Sequence, residues 1–124
     1  MGHIEIYDSY FGYDREDYKP CELFDIPGHD VHHIDARGMG GRKSADVIEN
    51  LMRLNREIHD VVGDITKWKP TLRLAHSFFM KHRVPYIHVA PYDEIFDQFL
   101  LNPKFAPLIM VVANSGTSHS IISS

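Results

Sequence analysis

The sequence has a single cysteine, Cys21, among its 124 residues. One thiol can form neither an internal disulfide nor an all-cysteine zinc site, so a bound metal would need imidazole and oxygen ligands. No run of about 18 apolar residues is present, which argues against a membrane-spanning helix. The first residues lack a basic segment followed by an apolar one. We therefore expect no secretory signal, no membrane partner and a cytoplasmic protein.

The chain also lacks an excess of positive charge, with 13 Lys and Arg against 17 Asp and Glu. That sum argues against nucleic-acid binding, but the distribution of charge matters more. Residues 36–83 carry 10 Lys and Arg against 5 Asp and Glu, whereas residues 1–35 carry 2 against 9 and residues 84–124 carry 1 against 3. The basic middle segment suits either a phosphate-binding face or an ordinary mixed-charge surface.

The length and the 44% hydrophobic content predict one globular domain over residues 1–124. Residues 1–20 show no sustained period, so we expect irregular structure or a short strand there. Residues 29–35 suit a short strand, and residues 47–54 suit a second one, although their Leu, Met and Glu also suit a helix. Residues 116–124 are rich in Gly, Ser and Thr and are expected to be frayed.

Three helices are expected after the strands. The first covers residues 55–62, with Asn55 as its N-cap and Gly63 as its stop. The second covers about residues 70–81, where a proline begins an apolar face. The third covers residues 92–101 and ends before a proline.

The sequence contains nine histidines. Five of them have no partner at ligand spacing and are expected to be ordinary surface or core residues: His3, His76, His82, His88 and His119. The pair His32-His33 differs, because adjacent residues of a strand point to opposite faces, so that one could bind a metal while the other meets a substrate. Two histidines at a strand end without any function are the plain alternative.

Residues 21–59 contain four short elements, which are Asp30-Val31-His32-His33-Ile34, Gly38-Met39-Gly40-Gly41, Asn50-Leu51 and His59. Together these elements resemble the HNH endonuclease family. Its members typically show an acidic or small residue near a His-His-Ile run, a glycine-bearing loop, an Asn-Leu pair and a His nine residues after that Asn. The resemblance covers about 40 residues, roughly a third of the chain, and extends to neither flank.

This resemblance implies an α+β domain with a ββα-metal motif at about residues 29–63 and additional C-terminal helices. The domain would comprise a core at 21–63, a helical extension at 66–115 and the frayed tail. The resemblance also implies a DNA endonuclease in which His32 and His59 hold one divalent metal and His33 is the general base. Asn50 would brace the loop or orient His33 by hydrogen bonds.

The metal site departs from the colicin-like branch of the family, in which a third histidine follows where Gly63 stands here. Asp30 is an alternative ligand or a hydrogen-bond partner for an imidazole N–H. Asn55 shares a helical face with His59 and is another possible metal ligand. Two protein ligands completed by water and substrate phosphate suit Mg²⁺ or Mn²⁺, while imidazole also tolerates Zn²⁺ or Ni²⁺.

Many family members carry a structural zinc held by two Cys-x-x-Cys pairs. The matching positions here are Cys21, Phe24, Asn55 and Ile58, and neither Phe nor Ile can bind a metal. We therefore expect no structural zinc, and in its place a packed apolar cluster in which Cys21 is a small buried hydrophobe.

The basic middle segment supplies candidate DNA-backbone contacts, which are Arg37, Arg42, Lys43, Arg53 and Arg56. Double-strand cutting with one site per chain would need a homodimer or sequential nicks. Small HNH proteins of this kind resemble phage or mobile-element enzymes. One alternative is an inactive HNH-fold DNA-binding or structural module, which predicts erosion at His33, where the histidine is intact. Another is a histidine-based metal-binding regulator, which predicts further ligands and no basic middle.

Overall fold

The computed structural model describes residues 2–36, 43–62, 65–89 and 94–103. The strands and helices in these ranges are α1 His3–Phe11, β1 Asp30–His33, β2 Leu51–Leu54, α2 Arg56–Val62, α3 Lys69–His82, α4 Tyr86–Val89 and α5 Glu94–Leu100. Short 3₁₀ turns lie at Lys43–Ala45, Ile48–Asn50 and Thr66–Trp68. This mixture of helices with a two-stranded sheet confirms the α+β class. The predicted tail and the glycine loop lie outside the described residues.

The centre of the fold is an antiparallel hairpin followed at once by a helix. β1 pairs with β2 so that His32 lies opposite Met52 and His33 opposite Leu51. The single residue Asn55 joins β2 to α2, and its Oδ1 accepts the backbone N–H of Glu57 at 3.0 Å. The predicted N-cap is therefore confirmed, and it starts α2 directly beside the hairpin.

The two faces of the hairpin pack against different parts of the protein. One face contributes Ile34, Met52 and Leu54 to the larger core cluster, which also contains Ile58 and Val62 of α2. The other face contributes Val31 and Leu51 to a second cluster with Tyr7 and Phe11 of α1 and Phe79 of α3. Because side chains alternate along a strand, His32 belongs to the α2 side and His33 to the α1 side.

The sequence-based prediction for residues 1–20 is wrong, because a helix occupies His3–Phe11. Tyr7 and Phe11 lie one helical turn apart and are 0% and 6% exposed, so they form the apolar stripe of α1. Gly12 then ends the helix with a left-handed φ of 70°.

The later predictions agree more closely with the structure. Within the predicted strand at 47–54, residues 48–50 form a 3₁₀ turn and only 51–54 are extended. α3 matches the helix predicted at 70–81, and α5 matches the described part of the helix predicted at 92–101. The short helix α4 was not predicted.

A buried polar network links α1, β2 and α3. Its centre is Glu22, which is 0% exposed. The Glu22 carboxylate accepts hydrogen bonds from the hydroxyl of Tyr7 and, at 3.1 Å, from the backbone N–H of Arg53. It also contacts Nδ1 of His76 at 2.7 Å, and Nε2 of His76 lies 2.6 Å from the carbonyl oxygen of Ile48. Both ring nitrogens of His76 thus face acceptors, which requires a proton on each and makes the ring a buried imidazolium.

The environment of His76 favours that charge. Burial lowers the pKa of His76, but the hydrogen bond and the charge of Glu22, together with the Ile48 carbonyl, raise it by more. The pKa of His76 therefore lies above the usual value of about 6.5. Burial and the Glu22 carboxylate also raise the pKa of Tyr7, so its hydroxyl remains a donor.

We predict that His76→Gln lowers the free energy of unfolding by about 3–5 kcal/mol at pH 6, because it leaves the buried carboxylate of Glu22 without its charged partner. A raised folded-state pKa contributes stability that is complete below about pH 6.5 and is lost as the pH rises through that raised value. The difference between wild type and variant should therefore shrink as the pH increases from 6 to 9.

Urea unfolding at several pH values measures this difference. Lys81→Gln, an exposed change on the same helix, is the control and should leave the free energy of unfolding nearly unchanged. A wild-type advantage that stays constant or grows with pH would contradict a charged His76.

Candidate active site

Two histidines from different elements meet at the junction of β1 and α2. Nδ1 of His32 lies 3.1 Å from Nε2 of His59, although 27 residues separate them in sequence. The hairpin register places His32 on the face that α2 covers, and the tight connection at Asn55 places His59 on the first turns of that helix. The structure therefore brings together the two predicted metal ligands.

Asp30 contacts His59 through the ring nitrogen that does not face His32, and so orients the pair. Its Oδ2 lies 3.0 Å from Nδ1 of His59, and its Oδ1 accepts a hydrogen bond from Nη2 of Arg56 at 3.2 Å. Partial burial raises the pKa of Asp30, but the hydrogen bonds from His59 and Arg56 lower it by more, so it remains a carboxylate. A carboxylate on Nδ1 keeps the proton there and leaves the lone pair of His59 on Nε2, directed at His32. Of the two roles expected for Asp30, the contacts favour that of partner to the imidazole.

The two facing nitrogens suit a divalent metal. Transition metals bind imidazole nitrogen at about 2.0–2.1 Å, so two nitrogens 3.1 Å apart can both reach a single ion. Among the described residues, no group of three or more His, Cys, Asp or Glu side chains forms a complete metal site. Among the described residues, the candidate protein ligands are thus two imidazoles, and water and substrate oxygens would complete the coordination.

The contacts of Asn55 favour a capping role over the role of metal ligand suggested for it. Its Oδ1 caps α2, and its Nδ2 donates to the carbonyl oxygen of Pro27 at 3.1 Å. Both polar atoms of the amide are therefore engaged, and the residue is only 7% exposed. Its physical task is to fix the start of the helix that carries His59.

His33 lies on the opposite face of β1. Its Nε2 is 2.7 Å from Oδ1 of Asp46, and its ring lies beside that of His3, with the centroids 4.8 Å apart. The side chains of His33 and Asp46 are 15% and 11% exposed. His33 is thus held at its edge and along one face but is still accessible to solvent.

Asn50 ties together the two sides of the loop that follows β1. Its Oδ1 accepts the backbone N–H of Asp35 at 2.8 Å, and its Nδ2 donates to the carbonyl oxygens of Asp35 and Ala45 at 2.9 and 3.0 Å. An amide suits this position because it donates and accepts at once. Of the two roles expected for Asn50, the structure shows the bracing contacts.

Three of the four positions that the resemblance matches to zinc ligands are packed together here. Cys21, Phe24 and Ile58 are each 0% exposed and belong to the same core cluster, which confirms the predicted packing. Burial raises the pKa of the Cys21 thiol, although backbone N–H groups at Phe24 and Asn55 hydrogen bond to it. The thiol is therefore protonated at neutral pH and behaves as a small apolar group.

The residues predicted to contact DNA differ in their exposure. Arg56 has 65% of its side chain exposed, beside Asp30 and the histidine pair. Arg53 was expected on the surface, but its side chain is only 7% exposed and its Nη2 lies 2.6 Å from Oδ1 of Asp8. That prediction is wrong, because the register of β2 directs Arg53 toward α1. Arg37 and Arg42 lie outside the described residues, and only the backbone of Lys43 is described.

Sequence reasoning missed two features of the site. Asp46 was given no role, since nothing in its spacing shows that a loop would return it to His33. Lys69 and Arg73 of α3 were counted only within the basic segment, yet both form ion pairs with Asp35 beside the loop, Lys69 at 3.5 Å. Their one-turn spacing was the available signal, because residues four apart share a helix face.

Comparisons with models of protein families, with curated proteins and with solved structures found no match for this chain. Among the described residues, the structure has no helix with the length and apolar character needed to cross a membrane.

We predict that the protein purified without added metal retains no stoichiometric zinc after treatment with a chelator, because Phe24 and Ile58 offer no ligand atoms. Cys21→Ala should lower the free energy of unfolding by only about 0.5–3 kcal/mol, as for other small core truncations. Elemental analysis and thermal unfolding with and without chelator measure both effects. Stoichiometric zinc whose removal unfolds the chain would refute the apolar cluster as the substitute for a metal.

Proposed function

We propose that this protein is a metal-dependent endonuclease of the HNH type that hydrolyses phosphodiester bonds in DNA. The observation that carries the proposal is the pairing of His32 with His59 through nitrogens 3.1 Å apart, while His33 occupies the opposite face of the same strand. One residue step along β1 thus separates a metal-binding pair from a candidate base. This is the division of labour that the HNH resemblance implies.

One edge of β1 could give one substrate group access to both faces of the strand. Within the described residues the sheet consists of β1 and β2 alone, so one edge of β1 has no neighbouring strand. A phosphate placed along that edge could be approached by His33 from one face and by the His32–His59 pair from the other. The contacts of the hairpin with α1 and α2 keep His33 on one face of β1 and His32 on the other.

In the proposed reaction, His33 takes a proton from a water molecule. The oxygen of that water forms a bond to phosphorus, and the bond from phosphorus to one deoxyribose oxygen breaks, with the leaving oxygen receiving a proton from solvent. His32 and His59 would hold a divalent ion, which would supply positive charge for the phosphate and the leaving oxygen. Mg²⁺ or Mn²⁺ suits this task and the open coordination, and Zn²⁺ or Ni²⁺ is compatible with the imidazoles.

Basic side chains near the site suit a polyanionic substrate. Arg56 is exposed next to Asp30, and Lys69 and Arg73 lie beside Asp35 just after β1. Arg56 belongs to α2, on the side of the histidine pair. Lys69 and Arg73 belong to α3 and lie near the start of the loop that follows β1. Contacts from such residues to phosphates would position the backbone without reading base sequence.

We predict that His33→Ala abolishes DNA nicking while leaving metal binding and DNA binding almost intact. Loss of a positioned base costs about 10²–10⁴ in rate. His59→Ala should abolish nicking and also weaken metal binding, since it removes one of the two proposed protein ligands. A supercoiled-plasmid nicking assay with Mg²⁺ or Mn²⁺, together with metal titration, compares both variants with wild type.

His82→Ala, which removes an exposed imidazole from α3, is the matched control and should behave as wild type. If His33→Ala cuts at the wild-type rate, or loses metal as fully as His59→Ala does, the roles are assigned wrongly. DNA binding by wild type without metal-dependent nicking would favour the inactive DNA-binding module.

We further predict that DNA affinity falls steeply with salt and depends little on sequence, because phosphate contacts release counterions. Arg56→Gln should weaken binding and reduce the slope of log K against log salt by about 0.9 for one lost phosphate contact. Lys81→Gln is the control, since Lys81 lies about 18 Å along α3 from Lys69 at roughly 1.5 Å per residue. Binding that does not respond to salt would count against a backbone interface.

A further inference from the structure

We infer that Asp46 is a positioning residue for His33, and that it makes Nδ1 of His33 the nitrogen that takes the proton from water. The inference rests on the proposed nuclease function and adds a residue and a specific atom to it. It follows from the contacts of one ring and from the way in which the loop after β1 is closed.

The His33 ring has two contacts that fix its position. Its Nε2 lies 2.7 Å from Oδ1 of Asp46, and its ring lies beside the ring of His3, tilted at an interplanar angle of 46°. Both members of the His33–Asp46 pair are largely buried, which strengthens a hydrogen bond to a carboxylate. Within the described part of the chain, no other hydrogen bond to the His33 ring is found. Nδ1 is therefore the nitrogen left for water.

Asn50 explains why Asp46 stays at this distance. It binds the carbonyl of Ala45, directly before Asp46, and its own backbone N–H donates to the carbonyl of Val47, directly after Asp46, at 2.9 Å. The same side chain binds both backbone groups of Asp35, two residues after His33. Asn50 thus holds the chain on both sides of Asp46, by its side chain at Ala45 and by its backbone N–H at Val47. Asn50 acts on the base through Asp46 and not through a direct bond.

The position of the hydrogen on the His33 ring determines which nitrogen can act as the base. A neutral ring has one N–H, and a carboxylate can only accept, so the contact with Asp46 places that hydrogen on Nε2. Nδ1 then carries the lone pair that receives the proton of the attacking water. The resulting imidazolium keeps Nε2–H on Asp46, whose negative charge stabilises it until Nδ1 returns the proton to solvent.

The test is Asp46→Asn, with Glu49→Gln as the matched control because it removes the same charge from an exposed residue three positions away. We expect Asp46→Asn to lower kcat by about 10–100-fold with KM nearly unchanged, as for other groups that orient a functional imidazole. Asp46→Glu should recover part of the loss, since it restores a carboxylate. Thermal unfolding of each variant checks that the fold is kept.

A second measurement does not depend on activity. The Nε2–H of His33 should give a downfield proton NMR resonance that exchanges slowly with water and that His33→Ala removes. Asp46→Asn should shift or abolish this resonance, and Glu49→Gln should leave it in place.

The outcomes separate this inference from the proposed function. If wild type nicks DNA and Asp46→Asn nicks at the same rate, or if the bonded proton lies on Nδ1, the role of Asp46 is refuted and the nuclease stands. If the resonance behaves as expected but wild type does not cut, the nuclease is refuted, and with it the role of Nδ1 as a base.

Discussion

The alternation of side chains along β1 is the constraint on which the rest of the site depends. Because consecutive residues of a strand point to opposite faces, His32 and His33 cannot share one environment. The pairing of β1 with β2 fixes which face each one takes, and a register slip of one residue would exchange them. The two core clusters resist such a slip, since it would bring Val31 to the α2 side and Ile34 to the α1 side.

The segment from Cys21 to Phe24 is held beside the hairpin by contacts other than metal ligands. The backbone N–H of Glu22 donates to the carbonyl of Arg53 at 2.9 Å, and the carbonyl of Glu22 accepts from the N–H of Tyr86 at 2.8 Å. Beside these bonds, the Glu22 carboxylate links the segment to Tyr7 and His76. A buried ionic group is costly to desolvate, so the apolar cluster around Cys21 must provide most of the stability. The polar network then specifies which elements meet.

Much of the fold around the site could be predicted from the sequence, because local chemistry decides it. The cap at Asn55 and the apolar face of α3 are each set by a few adjacent residues. α1 was missed because its stripe is short and aromatic, and such a helix is stabilised by packing of Tyr7 and Phe11 more than by its own propensity.

The contacts that were missed in the site join residues far apart in sequence. His76 lies 54 residues from Glu22, and Asp46 lies 13 residues from His33 across a loop whose closure no local pattern specifies. Arg53 is a different case, since a strand at 51–54 already places it on the same face as the buried Leu51. The usual preference of arginine for the surface predicted an exposed Arg53, but the strand register overrides that preference.

Among the described residues, four histidines pair with carboxylates: His33, His59, His76 and His88. Exposure separates the tasks of the first three. His76 and Glu22 are 2% and 0% exposed, so no substrate can reach them, and both ring nitrogens of His76 are used within the protein. The side chains of His59 and His33 are 32% and 15% exposed, and each gives only one nitrogen to its aspartate. The second nitrogen of His59 faces His32, and that of His33 has no hydrogen bond among the described residues. A histidine–carboxylate pair therefore serves as an internal cross-link at Glu22. At Asp30 and Asp46 the carboxylate instead fixes which ring nitrogen of its histidine carries the lone pair.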